Sequence, residues 1–402
     1  MSGLFRRREW LTTHPVKPRY DVVIIGGGGH GLAAAYYLAK NHGITDVAVL
    51  ERSYIGSGGS GRNTTVLRAN YKVPESIAFY KASFDLYRGL SQELDINLLR
   101  SPRGMLSLAH SEPSLRSQQD RALVNQALGV DTVFLDADGV REVCPQIDIA
   151  CGGKRPVLGA AWHPPGAVIR HDAVVWGYAA AAQRLGAHIH QGTPVTGITV
   201  ENGRCAGVQT PAGPVGAGAV LSAVGGYVSR IGRMAGVRLP VVSHPLQAYV
   251  TEPYKPILDR IVASADLLVY VSQSARGELL VGAEIERYAS YSTSSTYTFL
   301  SEASKRVLDL FPWMGPLKIL RQWTGICDMT PDYSPLMGKT ELESFFLDAG
   351  TGTWGFKATP ICGLTMAELI ATGKVPPLIE PFRLSRFWEG HAVSERASAG
   401  TH

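Results

Sequence analysis

The spacing of apolar and polar residues divides the chain into short buried strands and longer amphipathic helices. Near the amino terminus it predicts a strand over 20–25 (YDVVII), a helix over 32–40 (LAAAYYLAK) and a second strand over 47–50 (VAVL). Continuous apolar runs of this length are typical of parallel strands that are covered on both faces. The three segments together predict a β-α-β unit.

Further along the chain, the same criteria predict a mixture of helices and strands. We expect helices over 76–90, 114–126, 172–185, 301–311 and 358–372, and strands over 104–110, 188–191, 195–200, 219–224 and 345–347. The helix over 114–126 is expected to face solvent. Asp172 is predicted to cap the next helix and Gly186 to end it. Alternation over 241–285 predicts the large sheet of a second domain, and 394–402 is expected to be disordered.

Composition narrows the classes of protein that the chain could belong to. Its 402 residues are 45% hydrophobic and 18% charged, which fits a globular enzyme of about two domains. The net charge of +5 indicates a mildly basic surface, or a local patch for an anionic partner. The basic residues are scattered, so no nucleic-acid partner is expected.

Neither export nor membrane insertion is expected from the sequence. No apolar run approaches the length of a membrane span, and no apolar stretch follows the basic run 6–8 (RRR) as a twin-arginine export signal would require. The five cysteines are widely spaced and form no CxxC pair. We therefore expect free thiols, a cytoplasmic location, and neither a disulfide framework nor a metal site.

The strongest motif joins the first predicted strand to the first helix. Gly26, Gly28 and Gly31 form GxGxxG, and Glu51 ends the following strand. Glycines at these positions permit a tight turn, close approach of a pyrophosphate and close helix packing, while the acid binds a ribose. The complete context predicts a dinucleotide site, although a glycine-rich turn without ligand is the alternative.

Two further segments favour a flavin over a nicotinamide. The segment 57–71 (SGGSGRNTTVLRANY) is polar and glycine-rich, as expected of a loop beneath an isoalloxazine ring. The loop 348–357 (DAGTGTWGFK) joins a strand to a helix, so that its amides could stabilise negative charge on reduced flavin. An ordinary glycine turn is the alternative for this second loop. The expected cofactor-binding residues are Gly26, Gly28, Gly29, His30, Gly31, Glu51, Ser60, Arg62, Asn63, Thr64, Thr65, Val195, Gly352, Gly355 and Lys357.

At this point the chain resembles the sarcosine oxidase beta-subunit family, within the glycine oxidase and sarcosine oxidase superfamily. The matching runs are YDVVIIGGGGHGLAAAYYLA, GSGRNTTVLRANY, RHDAVVWGYA, TPDYSPLMGKT and GTGTWGFKATP. The resemblance implies non-covalent FAD, together with FMN that is bound covalently to His171 through its 8α-methyl group. It also implies alpha, gamma and delta partner subunits, sarcosine as substrate and tetrahydrofolate bound on a partner.

The implied fold is α/β (α+β), with a Rossmann-like FAD-binding domain interleaved with a substrate domain on a large mixed or antiparallel sheet. The FAD-binding domain is expected to be discontinuous, because its motifs lie near both ends of the chain. The expected ranges are 18–90, 150–235 and 325–385 for that domain, 91–149 and 236–324 for the substrate domain, and 1–17 and 386–402 for terminal arms.

Departures from the related monomeric oxidases refine the expectation. Their FAD-linked cysteine corresponds to Gly325, so we interpret Cys327 as a structural thiol. Their oxygen-activating lysine corresponds to Leu280, which agrees with electrons passing to a second flavin and then to oxygen, giving peroxide. The monomeric oxidases have two arginines near the flavin. Thr65 stands at the position of the first, and Arg68 matches the second.

Arg68 and Lys357 are the candidate catalytic residues, as a clamp for the substrate carboxylate. Either could instead be a surface charge or a flavin contact. His171 precedes a predicted helix, where the dipole would keep its ring neutral and nucleophilic, although such a histidine is commonly a surface residue. Two other functions stay open: a related amine or imino acid dehydrogenase subunit, for proline, opines or glycine, and a flavin-binding assembly subunit without turnover.

Overall fold

A computed structural model describes residues 11–395 of the chain. Its strands are β1 (Arg19–Ile25), β2 (Val47–Leu50), β3 (Val66–Leu67), β4 (Ser101–Pro102), β5 (Met105–Ala109), β6 (Val133–Asp136), β7 (Gly159–His163), β8 (Ala167–Val168), β9 (His188–His190), β10 (Gly197–Glu201), β11 (Arg204–Thr210), β12 (Gly213–Ser222), β13 (Val242–Pro253), β14 (Ile261–Ser264), β15 (Val269–Gln273), β16 (Glu278–Ile285), β17 (Ile319–Met329), β18 (Leu336–Lys339) and β19 (Phe345–Ala349). Its helices are α1 (Gly29–His42), α2 (Pro74–Glu93), α3 (Glu112–Ala127), α4 (Ala137–Val143), α5 (His171–Arg184), α6 (Val228–Met234), α7 (Tyr297–Leu310), α8 (Gly355–Thr372) and α9 (Arg386–Glu389).

The first large sheet is parallel at its centre. β1 pairs with β2 and β12, β2 pairs with β9, and β12 pairs with β19, all in parallel. β10, β11 and β18 extend this sheet with antiparallel pairings. The predicted β-α-β unit is confirmed by β1, α1 and β2, and the central strands are almost wholly buried as their apolar runs predicted.

Helices α1 and α8 pack directly against each other over this sheet. A Cβ atom on Gly363 of α8 would lie only 2.4 Å from the Cβ of Ala33 in α1. A Cβ on Gly29 would similarly lie 2.9 Å from the hydroxyl of Thr359. Only glycine at these contacts lets the two backbones approach so closely. The glycine motif near one end of the chain is thereby joined to the helix near the other end.

The second large sheet is mixed and lies in the order β17-β13-β16-β15-β14-β5-β7-β6. Its pairings are antiparallel except for that between β5 and β14. The strand-like segment 241–285 supplies four of its strands, as the alternation predicted. Helix α7 covers this sheet and begins after Thr296, whose hydroxyl accepts the amide of Phe299.

Several elements of the second sheet were not predicted. β7 has the sequence GAAWH, in which small residues hide the usual alternation. The first half of β17 (ILRQWTGICDM) is largely exposed, and apolar and polar residues do not alternate there. β7 lies inside the range 150–235 that was expected to belong to the FAD-binding domain, yet it pairs in the second sheet. The division of the chain into domains stays a prediction.

Two predicted helices differ in detail from the structure. Helix α3 does not face solvent entirely, because Gln118, Arg121 and Asn125 are buried. Their polar character led to the wrong prediction, since burial here relies on hydrogen bonds such as that from Asn125 to the carbonyl of Tyr71. Asp172 is not the N-cap of α5. The helix begins one residue earlier, and the carboxylate of Asp172 pairs with Arg170.

Residues 386–395 are anchored to the rest of the fold by buried polar contacts. Arg386 is fully buried and makes a bidentate pair with Asp332, at 2.8 Å from Nε to Oδ2 and 2.9 Å from Nη2 to Oδ1. Glu395 is also fully buried and accepts the amides of Lys72 and Val73. The predicted disorder is therefore wrong at Glu395. The residues 396–402 and the basic run 6–8 lie outside the described part of the chain.

Within residues 11–395, no helix is both long enough and apolar enough to cross a lipid bilayer. All five cysteines are free and buried, as their spacing predicted.

The buried pair of Arg386 and Asp332 predicts a specific loss of stability. Arg386→Met should lower the free energy of unfolding by about 3–5 kcal/mol, because it leaves a buried carboxylate without its counter-charge. Arg383→Met, which breaks a more exposed pair with Glu389, should cause a much smaller loss. Urea unfolding of the two variants measures this difference, and equal losses would contradict the assignment.

Candidate functional site

Four parallel strands end at the same edge of the first sheet, beside one large cavity. β1 leads into Gly26, β2 into Glu51, β12 into the turn at Gly225 and β19 into Gly350. A cavity of about 480 Å³ lies along this edge, and all of these residues except Gly350 line it. Ligands of open α/β sheets bind at the carboxyl ends of the strands. The topology therefore makes this cavity the candidate site.

The glycines of the motif meet steric demands that other residues could not. Gly26 has a φ of 110°, and a Cβ there would lie 2.4 Å from the carbonyl oxygen of Ala223. A Cβ on Gly31 would lie 2.1 Å from the carbonyl oxygen of Gly26. Gly28 occupies the N-cap of α1, so the start of the helix faces the cavity, although the amide of its first residue, Gly29, already donates to Ser60. Such an end attracts the phosphates of a dinucleotide.

Glu51 is buried at the end of β2 and holds the motif in place. Its Oε2 accepts the amide of Gly27 at 2.9 Å, and its Oε1 accepts the amide of Ser53 at 2.9 Å. Oε1 also accepts the hydroxyl of Ser57 at 3.3 Å. A carboxylate oxygen has two acceptor positions, so Oε2 can still accept a hydroxyl from the cavity. This arrangement suits a ribose, and the negative charge disfavours an added phosphate.

The predicted loop over 57–71 forms one wall of the cavity. Ser60, Arg62, Asn63 and Thr64 all line it. The hydroxyl of Ser60 accepts the amide of Gly29 at 2.9 Å, which joins the loop to the glycine motif. Arg62 donates to the carbonyls of Ser57 and Thr324, and thereby bridges the loop to β17 of the second sheet. The loop is thus a defined surface.

The second predicted loop, over 348–357, forms the opposite wall. The buried carboxylate of Asp328 accepts the amides of Gly350 at 2.6 Å and of Gly352 at 3.2 Å. Burial raises the pKa of Asp328 to about 6, although these amides oppose the shift. Gly352 and Gly355 line the cavity, and α8 begins at Gly355. The amino-terminal end of a second helix therefore reaches the same cavity.

Two cationic side chains, Arg68 and Lys357, line one part of the cavity wall together. Arg68 is buried, donates to the carbonyl of Asn70 at 2.7 Å and lies 4.2 Å above the ring of Tyr71. Ser83 of α2 holds the backbone carbonyl of Lys357 at 2.7 Å. Burial, and then the charge of Arg68, lower the pKa of Lys357 well below its usual value. Two cations held this closely favour an anionic ligand.

Most of the residues that we predicted for the site, including His30 and Val195, line this cavity. Gly31 and Thr65 lie behind its wall; the backbone of Thr65, with a φ of 63°, is held by Asn63. Cys327 also lines the cavity, and burial raises the pKa of its thiol, so it stays protonated.

His171 lies away from this cavity, at the start of α5. Burial lowers the pKa of its ring, with opposing effects from Asp172 and Arg170. The ring is therefore neutral at neutral pH. A second cavity of about 410 Å³ is lined by its chain neighbours Arg170 and Asp172 but not by His171 itself, and it shares no residue with the first. Its lining residues are Ile96, Asn97, Leu99, Arg170, Asp172, Ala173 and Trp176.

A group of aromatic and cationic side chains near Glu51, at one end of the cavity, was not predicted from the sequence. The guanidinium of Arg52 lies 3.8 Å from the ring centre of Tyr227, which stacks on Tyr291. Arg230 lies 4.0 Å from the ring centre of Tyr291. Gly225 follows the predicted strand over 219–224 and could have indicated this part of the cavity, because a glycine turn after a buried parallel strand commonly borders a ligand.

Comparisons with known proteins agree with this site. Residues 21–369 match the family described as FAD dependent oxidoreductase. The chain is 43% identical to the sarcosine oxidase subunit beta of Rhodobacter capsulatus, covering 98% of this chain and 94% of the relative. It is 42% identical to that of an Arthrobacter species, covering 97% and 96%.

Among solved structures, the L-proline dehydrogenase of P. horikoshii superposes with a TM-score of 0.87 at 29% identity, covering 93% of this chain and 99% of the other. The glycine oxidase of Geobacillus kaustophilus, at 24% identity and a TM-score of 0.83, covers 92% of this chain and 99% of the other and shares the fold. The glycine motif, the cavity between two helix ends and these matches lead to one conclusion: the chain belongs to the FAD-dependent oxidoreductases and, within them, to the sarcosine oxidase beta-subunit family.

Proposed function

We propose that the chain uses FAD to oxidise sarcosine to glycine, removing its N-methyl group as a one-carbon unit. The observation that carries the proposal is the presence of Arg68 and Lys357 in the wall of the cofactor cavity. Sarcosine is a small amino acid with one carboxylate, so a pair of cations can fix its orientation. Chains named sarcosine oxidase subunit beta are more than 40% identical over nearly the whole length.

The residues around the cavity divide into two groups by role. Gly26, Gly28 and the start of α1 would hold the pyrophosphate, and Glu51 the ribose. The amides of the loop over 348–357 and the end of α8 would face the flavin ring and favour its reduced, anionic form. Bound FAD supplies the acceptor for a hydride equivalent from the N-methyl carbon.

Arg68 and Lys357 would orient the substrate by its carboxylate. Arg68 is already held by Asn70 and Tyr71, so little freedom is lost when it binds an anion. Lys357 differs, because its pKa lies well below the usual value in the described chain. An incoming carboxylate favours the ammonium form and raises that pKa. Substrate binding would therefore be linked to protonation of Lys357.

We further propose that His171 carries FMN through a bond from a ring nitrogen to the 8α-methyl carbon. A neutral imidazole has a lone pair for such a bond, and burial keeps this ring neutral. Forming the bond would release the 8α C–H and the ring N–H as protons, and the two electrons would reduce the flavin itself, which oxygen would reoxidise. The second cavity, with Ile96 and Trp176 in its wall, has apolar groups that suit an isoalloxazine, while Arg170 in the same wall is paired with Asp172. FMN would pass electrons to oxygen, giving hydrogen peroxide.

The proposed assembly includes alpha, gamma and delta subunits, with tetrahydrofolate on a partner to accept the one-carbon unit. The relatives' name, subunit beta, supports an assembly of several chains. The five free, buried thiols agree with the cytoplasmic location that we propose.

A second candidate function is the dehydrogenation of L-proline. The proline dehydrogenase structure covers 93% of the chain at 29% identity, and proline is also a secondary amino acid with one carboxylate. Leu280, at the position of the oxygen-activating lysine of monomeric oxidases, agrees with either function. Reduction of the flavin by L-proline but not by sarcosine would favour this alternative.

The proposed clamp predicts a kinetic loss on removal of either charge. Arg68→Met or Lys357→Met should lower kcat/KM for sarcosine roughly 30- to 900-fold, because a charge-assisted contact to the carboxylate is lost. This change corresponds to a loss of about 2–4 kcal/mol of transition-state stabilisation. Steady-state kinetics at fixed pH measure this change. Lys81→Met, at an exposed pair with Asp85, is the matched control and should leave kcat/KM unchanged.

The lowered pKa of Lys357 also predicts a pH dependence. The ammonium form of Lys357 is present below this pKa and is lost as the pH rises through it. The KM for sarcosine should therefore begin to rise at a lower pH than it would if Lys357 had the pKa of an ordinary lysine. Lys357→Arg should move this rise to higher pH, because arginine stays charged. The same KM profile in both enzymes would contradict the role of Lys357.

The proposed FMN link predicts a separation of the two half-reactions. His171→Asn should retain FAD and accept electrons from substrate, but it should lose rapid transfer to oxygen because the second flavin is not retained. Mass spectrometry of the peptide over 170–179 should show added FMN mass only in the wild type. His391→Asn, at an exposed histidine, is the control. An unmodified peptide from fully active enzyme would refute the link.

A further inference from the structure

His30 lies within the glycine motif and contacts the second flavin loop at two points. Its Nδ1 lies 2.9 Å from Oδ1 of Asp348, and its Nε2 lies 2.8 Å from the carbonyl oxygen of Gly355. The imidazole is mostly buried, and the side chain of Asp348 is wholly buried. One side chain thus connects α1, the end of β19 and the start of α8.

These contacts determine where the protons are. A carbonyl oxygen can only accept, so Nε2 must carry a hydrogen. The contact between Nδ1 and Asp348 requires a second proton, since two lone pairs would otherwise face each other. Oδ2 of Asp348 has no hydrogen-bond partner among the described residues. The pair therefore contains two protons and is neutral overall, and the raised pKa of His30 places the shared proton on its ring.

The same group does not suit a metal ion. His30, Asp348 and Cys362 bring three potential ligand atoms within 4.8 Å of one another. However, Nε2 of His30 is occupied by a carbonyl, and Nδ1 lies at hydrogen-bond distance from the carboxylate. Burial raises the pKa of Cys362 to about 12, so its thiol remains protonated. A shared proton explains the contacts, and a metal does not.

The charged surroundings of His30 are well defined. Burial alone would lower its pKa, but Asp348 raises it well above the usual value. Asp328 of β17 is also close enough to interact electrostatically with His30. The start of α1 disfavours a cation there. The imidazolium therefore depends on its buried acidic partner.

We propose that protonated His30 is a positioning residue for FAD, which fastens the glycine motif to the second flavin loop and keeps the pyrophosphate site free of net negative charge. If the pair loses its proton, a negative charge appears beside the amides that would bind the pyrophosphate. FAD should then bind with full affinity at pH values below the raised pKa of His30. Its affinity should fall as the pH rises through that pKa.

The test uses the purified full-length chain with any subunits that accompany it. FAD is removed and titrated back from neutral to alkaline pH, with fluorescence as the readout. For the wild type, Kd should rise about tenfold per pH unit above the pKa of His30. Asp348→Asn should show no such rise, because the amide can donate to a neutral His30 and no shared proton remains to be lost. Its affinity at neutral pH should stay within a few-fold of the wild type.

His30→Gln should bind FAD at least about tenfold more weakly at neutral pH, without the alkaline rise. Lys357 titrates in both the wild type and Asp348→Asn, so only the difference between their profiles concerns the pair. Equal slopes for these two proteins would overturn the proposal. Nitrogen NMR of histidine-labelled wild type gives an independent readout: both ring nitrogens of His30 should be protonated at neutral pH, and a neutral ring would also overturn it.

Discussion

The direct contact between α1 and α8 is the constraint on which the site depends. The two helices come from opposite ends of the chain, and Gly363 lets them approach until a methyl group would not fit between them. Each helix begins at the carboxyl edge of the parallel sheet, after β1 and β19 respectively. Because both helix starts meet at one cavity, the residues that we propose for the pyrophosphate and those that we propose for the flavin ring line the same space. Gly29 and Thr359 maintain the same close spacing nearer the cavity.

The site combines buried acids and buried cations, and each is stabilised by a different partner. Asp328 and Asp348 lie in the cavity wall, where the first accepts loop amides and the second pairs with His30. Arg68 and Lys357 line the same cavity, where burial, and then the charge of Arg68, lower the pKa of the lysine. In the proposed function the cavity takes two anions, a pyrophosphate near α1 and a carboxylate near α8. This arrangement is the physical reason to favour an amino acid substrate.

The sequence predicted those parts of the fold that depend on local patterns. The β-α-β unit, the glycine motif and the strands over 241–285 were found, because apolar runs, glycine spacing and alternation are local. β7 and β17 were missed, since small residues in one and an exposed first half without alternation in the other conceal the strand pattern. The anchoring of Arg386 by Asp332 depends on a contact between residues distant in sequence, which no local pattern contains. The roles of the site residues remain predictions, although most of these residues line one cavity.

Anaerobic addition of sarcosine to the flavin-loaded enzyme tests whether this chain oxidises sarcosine at its FAD. If sarcosine binds by its carboxylate beside the FAD, substrate alone should reduce the flavin. We expect rapid loss of the oxidised flavin absorbance in the wild type, with a rate that saturates as the sarcosine concentration is raised. A flavin that stays oxidised at every sarcosine concentration would show that the chain does not carry out this reaction.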